Sequence, residues 1–277
     1  MNTNSNIYTV IYTTVIVVIV AAVLAFVSQS LKGNQQANEK ADTISQMLTA
    51  AQFGTKADFQ KMGNKAVLAR YAEEIAEAFT VSPDGSRTGD IALDEVFSPS
   101  LLKRQNYNIK GGQNATGAPE LPVFIFKNGK KVVPVYGAGL WGPVWGYIAF
   151  NEDNSIAGAY FDHESETAGL GAKIKDDPAF QAEFIGEKPS LGESKVFEIV
   201  KGGSPKDSES KEVIDNKIDA ITGATMTSKG LEAAINTWLG AYSAYLLSAT
   251  PKVEEEVPAE VNEEAVEGEE TTKTVEE

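Results

Sequence analysis

Val123-Phe124-Ile125-Phe126-Lys127-Asn128-Gly129-Lys130-Lys131-Val132-Val133-Pro134-Val135 decides the fold class. Two runs of β-branched and aromatic residues flank Asn128-Gly129, a dipeptide that takes the positive-φ geometry of a tight hairpin at little cost. A second hairpin follows: a strand over 144–150, a turn over 151–155 and a return strand over 156–161. Val196-Phe197-Glu198-Ile199-Val200 reads as a further strand. Asp177-Pro178 opens a short helix as N-cap and first-turn proline, and Gly186 closes it. Leu231, Ala234, Ile235, Trp238, Leu239 and Tyr242 fall on one face of a long amphipathic helix. Hairpins set between helical segments predict an α+β domain with a largely antiparallel sheet flanked by helices.

Outward from this core the pattern changes. Residues 35–53 and 64–80 carry helix-like spacing; Ala66, Ala69, Ile75, Ala76 and Phe79 suit a helix stopped by Ser82-Pro83-Asp84-Gly85. Residues 83–120 are polar and turn-rich and read as a loop-rich connection. Residues 7–27 form an uncharged apolar run of 21 residues, about 31 Å as a helix and enough to cross a bilayer core. No Lys or Arg precedes it, and it is too long for the apolar part of a cleaved signal peptide, so it reads as an uncleaved single span. Lys32 and Lys40 follow the span beside Glu39 and Asp42; taken alone, they weakly place the large domain in the cytoplasm. Residues 252–277 hold eleven Glu and two Lys and no aromatic residue, a composition that predicts a disordered acidic tail. The expected divisions are an anchor over 1–30, a helical and loop-rich region over 31–120, the folded domain over 121–250 and the tail over 251–277.

Composition excludes much chemistry. The formal net charge is -15, with no cysteine and one histidine among 277 residues. Nucleic-acid binding, thiolate metal sites, iron–sulfur ligation, disulfides and multi-histidine metal or haem sites are ruled out on those counts. No catalytic acid–base constellation and no metal site are expected, so any redox chemistry must come from a borrowed cofactor.

Two stretches carry the remaining signal. In Asp219-Ala220-Ile221-Thr222-Gly223-Ala224-Thr225-Met226-Thr227-Ser228-Lys229-Gly230, hydroxyl residues crowd a Gly-centred turn before the amphipathic helix. By itself this suits a turn at Gly223 and a helix cap by Thr227 or Ser228. It also suits an anion held at a helix N-terminus near Thr225. His163-Glu164-Ser165-Glu166-Thr167-Ala168-Gly169-Leu170-Gly171 reads as a solvated Gly-rich loop.

Thr222-Gly223-Ala224-Thr225-Met226-Thr227-Ser228, with Asp219 upstream, resembles the flavinylation motif of FMN-binding domains. With Val135-Tyr136-Gly137-Ala138-Gly139-Leu140-Trp141 and Gly169-Leu170-Gly171 in this order, the chain resembles the C subunits of sodium-translocating NADH:quinone reductases. The resemblance covers the span and, most strongly, residues 121–240. It implies FMN joined covalently through its phosphate to Thr225, by a flavin transferase that uses FAD as donor. Gly223, Ala224, Thr227 and Ser228 would surround the attachment. Glu166 and Thr167 would bond the ring's polar edge, Leu170 would cover a face, and Gly169, Gly171, Leu140 and Trp141 would complete the wall. Ala168 departs from the proline usual in relatives, which loosens the loop in the free chain. Also implied are partner subunits of the reductase in the bacterial inner membrane and a large domain on the periplasmic side, against the charge count. Two other readings are the corresponding flavin subunit of a ferredoxin-linked electron-transport complex, and a non-redox anchored envelope domain in which the motif is only a helix cap.

Overall fold

The computed structural model describes residues 6–92, 98–202 and 216–249; the expected acidic tail lies outside them. Helix α1, Asn6–Ala50, is unbroken and about 68 Å long. The two helical stretches expected over 7–27 and 35–53 are thus one element, since no proline occurs before Pro83 to interrupt the bonding. Its apolar part has a mean hydropathy of 2.9 with no residue buried, long and apolar enough to cross a membrane. From Ala41 onward the helix enters the domain, burying Ile44, Met47 and Leu48. Helix α2, Lys56–Met62, is opened by a capping box between Thr55 and Asp58.

The expected helix over 64–80 is corrected. Helix α3, Asn64–Glu74, stops at Glu74, and strand β1, Ile75–Val81, follows at once. Phe79 lies opposite Val123 and Val81 opposite Leu121 of strand β3, Leu121–Phe126. The apolar spacing of Ile75 and Phe79 was compatible with either element, and pairing with β3 decided it. The expected loop-rich connection is also corrected: it holds strand β2, Arg87–Asp90, and helix α4, Pro99–Lys110. Strand β2 is exposed throughout, an edge strand whose charges disfavour further pairing. Helix α4 buries Gln105, Asn106 and Asn108 beside Leu102, so its inner face does not read as apolar in the sequence.

Strands β4, Lys131–Ala138, β5, Pro143–Phe150, and β6, Ile156–His163, complete an antiparallel sheet of order β2-β1-β3-β4-β5-β6. Both predicted hairpins are present. In the first, Gly129 takes φ 79°, and its N–H reaches Phe126 O while Phe126 N–H reaches Lys130 O. That is a three-residue loop with glycine in the left-handed position. Tyr147 and Tyr160, paired across β5 and β6, face α1 and α2, whereas Phe161 on the other face packs against Phe184 with the rings tilted. Short helices α5, Lys173–Asp176, and α6, Pro178–Ala182, follow; the Asp177 carboxylate caps the second, accepting from Ala179 N–H at 3.0 Å. Strands β7, Glu198–Val200, and β8, Lys217–Asp219, form a parallel pair. Helix α7, Thr225–Ser248, lies against β4. With both faces covered, β3 to β6 are buried on consecutive residues, which erases the alternation expected of a half-exposed sheet.

Helix α1 runs antiparallel to β6. Ala50 O lies against Gly158, while one turn earlier Gln46 Nε2 donates to Asp162 at 2.9 Å. The sheet end carrying residues 138–143 and 163–171 therefore points along α1 towards its apolar part. Gln46 is 2 % exposed and fully used: its amide also donates to Asp42 at 2.7 Å, and its Oε1 accepts from Trp145 Nε1 at 3.2 Å. Gln46→Leu is expected to cost about 1–3 kcal/mol, because it strips buried partners of their bonds. A lowered thermal midpoint of the detergent-solubilised chain is the check, and an unchanged one would show the joint to be dispensable.

Candidate functional site

Three segments far apart in sequence meet at that end of the sheet. The first is the turn over 139–142 between β4 and β5. The second is the loop over 164–172 that leaves β6. The third is the turn over 220–224 with the start of α7. Glu166 ties them together. Its Oε1 accepts from the N–H of Leu140 at 2.7 Å and of Trp141 at 2.9 Å, and its Oε2 accepts from the Thr227 hydroxyl at 2.7 Å. Glu166 N–H in turn donates to His163 Nδ1 at 3.1 Å, which requires that ring nitrogen to be unprotonated. Burial pushes the Glu166 carboxyl up, but the bonds from Thr227 and from the N–H groups of Trp141, Leu140 and Gly142 outweigh it and hold it below its ordinary value.

The loop over 164–172 is a turn closed on Thr167, whose carbonyl accepts from Leu170 at 3.1 Å and Ala172 at 3.0 Å. The Thr167 side chain is exposed. Gly169 supplies φ 74° there, a conformation that side chains resist. Gly171 has no room for a Cβ, which would lie 2.5 Å from Glu166 Oε2 and 2.6 Å from Thr227 Oγ1. Leu170 reaches Gly223, where a Cβ would stand 3.0 Å from its Cδ2.

At the third segment the expected helix cap is corrected. Helix α7 begins at Thr225 with Ala224 as N-cap and no side-chain cap bond. Thr227 and Ser228 lie inside the first turn, at 1 % and 0 % exposure. Ser228 Oγ accepts from Ile221 N–H at 3.1 Å, and Thr227 is committed to Glu166. The first intrahelical bond is Ser228 N–H to Ala224 O, so the N–H groups of Thr225, Met226 and Thr227 point out of the helix end without helical acceptors. Thr225 itself is exposed.

The same three segments carry four large apolar side chains in contact with solvent: Leu140, Trp141, Leu170 and Met226. Trp141 is 67 % and Met226 64 % exposed. Exposed apolar groups that cluster mark a binding surface more often than a monomer's plain exterior. Met226 was not among the residues expected from sequence; only its place beside Thr225 could have pointed to it. Every other expected residue lies in this assembly, although Glu166, Thr227 and Ser228 serve as its framework. The sheet carries them together because α7 can approach β4 closely: a Cβ on Gly137 would fall 2.6 Å from that of Ala234.

Residues 139–240 match the FMN-binding domain family, a stretch that encloses all three segments. The chain is 30 % identical over 191 residues to the C subunit of the Na(+)-translocating NADH-quinone reductase of Neisseria meningitidis serogroup B, covering 64 % of this chain and 70 % of that protein. It belongs to this C-subunit family. The Vibrio campbellii relative is 35 % identical over 124 residues, and that match spans only 45 % of the relative's length. The crystal structure of the Parabacteroides distasonis relative superposes with a TM-score of 0.60 at 31 % identity, covering 78 % of this chain and 96 % of that one. The family's fold is thus an antiparallel sheet with flanking helices, here behind a long apolar helix, as the sequence had led one to expect.

Proposed function

We propose that the chain is the membrane-anchored flavin carrier of a sodium-pumping NADH:quinone oxidoreductase, with FMN bound covalently through its phosphate to Thr225. The observation that carries this reading is an exposed threonine at the first position of a 24-residue helix, at a sheet end whose joined segments also bear exposed apolar side chains, inside the stretch that matches the FMN-binding family. The residues fit the group. Free N–H groups and the positive end of the helix dipole favour a phosphate. Leu140, Trp141, Leu170 and Met226 offer apolar surface to a flat ring. Gly223 and Ala224 shape the turn that presents Thr225, while Thr167 and Gly169 keep polar groups at the rim.

When bound, FMN supplies electron transfer. The chain's own residues anchor the phosphate, wall the ring and limit water at its face, and none needs to act as acid or base. A phosphoester leaves the ring electronics to these non-covalent neighbours. Attachment needs a flavin transferase with FAD as donor: the threonine oxygen takes the FMN phosphoryl group and AMP leaves. The cofactor-holding unit is residues 121–250, and its site end faces the membrane along α1, where the partner subunits of the reductase would be reached. Intact mass spectrometry of the chain expressed with and without a flavin transferase tests the reading. The expected result is one added FMN, less water, only with the transferase; a chain that stays unmodified beside a competent enzyme would overturn it.

The anchored domain lies on the periplasmic side of the cytoplasmic membrane. The support is the kinship with the reductase's C subunits and a single long apolar helix among the described residues. Protease added to intact spheroplasts should digest the chain beyond about position 30, just past a span of ordinary length. Full protection would place the domain in the cytoplasm.

A further inference from the structure

We propose that Glu166 is a positioning residue that never touches the flavin: as a buried, ionised clamp it holds the 139–142 turn against the first turn of α7, and its charge lowers the midpoint potential of flavin on Thr225. The second half rests on the FMN reading above. The expectation from sequence was that Glu166 bonds the ring's polar edge. In the structure both carboxylate oxygens already accept from the protein, from Leu140, Trp141 and Thr227, and the residue is 8 % exposed. Space around it is closed as well. A Cβ at Gly139 would run into Oε1, and one at Gly171 would lie 2.5 Å from Oε2. A ring edge would have to enter this closed space and compete with bonds each made to an ionised group and so stronger than neutral ones.

The donors that hold Glu166 are backbone N–H groups and a hydroxyl, all of them neutral. Among the described residues no Lys or Arg forms an ion pair with Glu166, so the negative charge keeps a long-range field. That field acts on the proposed flavin wall. Leu140 and Trp141 are bonded to the carboxylate directly, and Thr225 lies two residues before Thr227 on the same helix turn. A fixed negative charge this near opposes the arrival of electrons on the group carried there. The partially buried setting screens it less than water would.

Shape and charge are separable here. Glutamine in place of Glu166 keeps the volume; its Oε1 accepts from the two N–H groups and its Nε2 donates to Thr227 Oγ1. In the transferase-matured protein, Glu166→Gln is expected to carry FMN as wild type does but to titrate at a more positive midpoint potential in spectroelectrochemistry. An unchanged potential would overturn the tuning role. For the clamp, the readout is amide hydrogen exchange in the flavin-free Thr225→Ala background. There Glu166→Ala should speed exchange at Leu140 and Trp141 on the order of tenfold, and Glu166→Gln far less. Equal exchange in all three would overturn the clamp. If Glu166→Ala fails to fold, Thr227→Val in the same background removes one arm of the clamp and is expected to speed the same amides. Should wild type never accept FMN beside a competent transferase, the FMN reading and the tuning role fall together, while exchange in the flavin-free protein still decides the clamp.

Discussion

Thr225→Ala is expected to abolish covalent FMN altogether: after maturation with a transferase, the denatured protein should be colourless and its intact mass unmodified. Four hydroxyls crowd this turn, and the structure separates them. Thr227 and Ser228 are buried in the first turn of α7 and bonded to Glu166 and Ile221, so no enzyme can reach their oxygens without unwinding the helix. Thr222 is exposed but lies before the turn at Gly223, outside the helix that begins at Thr225. Only Thr225 combines access with a helix end whose first N–H groups lack helical acceptors, a setting that would favour an attached phosphate by roughly 0.3–1 kcal/mol from the dipole alone. Thr225→Val, which keeps the shape and removes the oxygen, should fail equally. Thr222→Ala should be modified normally. Thr227→Ala should still accept FMN while losing about 1–3 kcal/mol of stability, because it leaves a buried carboxylate oxygen short of a donor. Peptide mapping decides the point, and FMN found on Thr222 or Thr227 would move the site.

Trp238→Ala should be the most damaging single change away from the site, costing about 3–5 kcal/mol. Trp238 is fully buried, and its Nε1–H is shared between Tyr136 O at 2.9 Å and Asn106 Oδ1 at 3.2 Å. The side chain therefore joins α7 to β4 and α4 at once. Its removal opens a cavity and leaves both acceptors without their donor. Against a total of about 5–15 kcal/mol for a typical domain, this loss should bring the urea midpoint down steeply and lower the yield of FMN-loaded protein, since α7 also presents Thr225. Trp238→Phe, which fills most of the space but cannot donate, should fall between the two. A loss under about 1 kcal/mol for Trp238→Ala would mean that the core repacks around the gap.

Much of the scaffold was legible because its signals are local. Asn128-Gly129 makes its hairpin through the φ of one glycine, Asp177 caps α6 through a bond two residues on, and the apolar face of α7 needs only its own periodicity. Local too was the apolar part of α1, and kinship brought Thr225 into view through a short run of residues. Strand β1 was not legible, because Ile75 and Phe79 satisfy helical spacing and are drawn into a strand only by β3, more than forty residues later. Helix α4 was missed because its inner face is polar: Gln105 and Asn108 accept from Glu120 and Thr116, 15 and 8 residues on, and Asn106 accepts from Trp238, 132 residues away, so no apolar stripe marks the helix. The role of Glu166 shows the same limit most sharply. Chain order puts it 26 residues from Leu140 and 61 from Thr227. Whether its carboxylate faces a ligand or its own protein depends on where those donors come to rest. Residue types and short spacings determined the apolar span, the hairpins and the long helix, since each follows from bonds made within a few residues, while the candidate threonine came from kinship. Only the tertiary structure could decide which polar groups are spent in holding the site together and which remain free to bind, because that depends on contacts between segments distant along the chain.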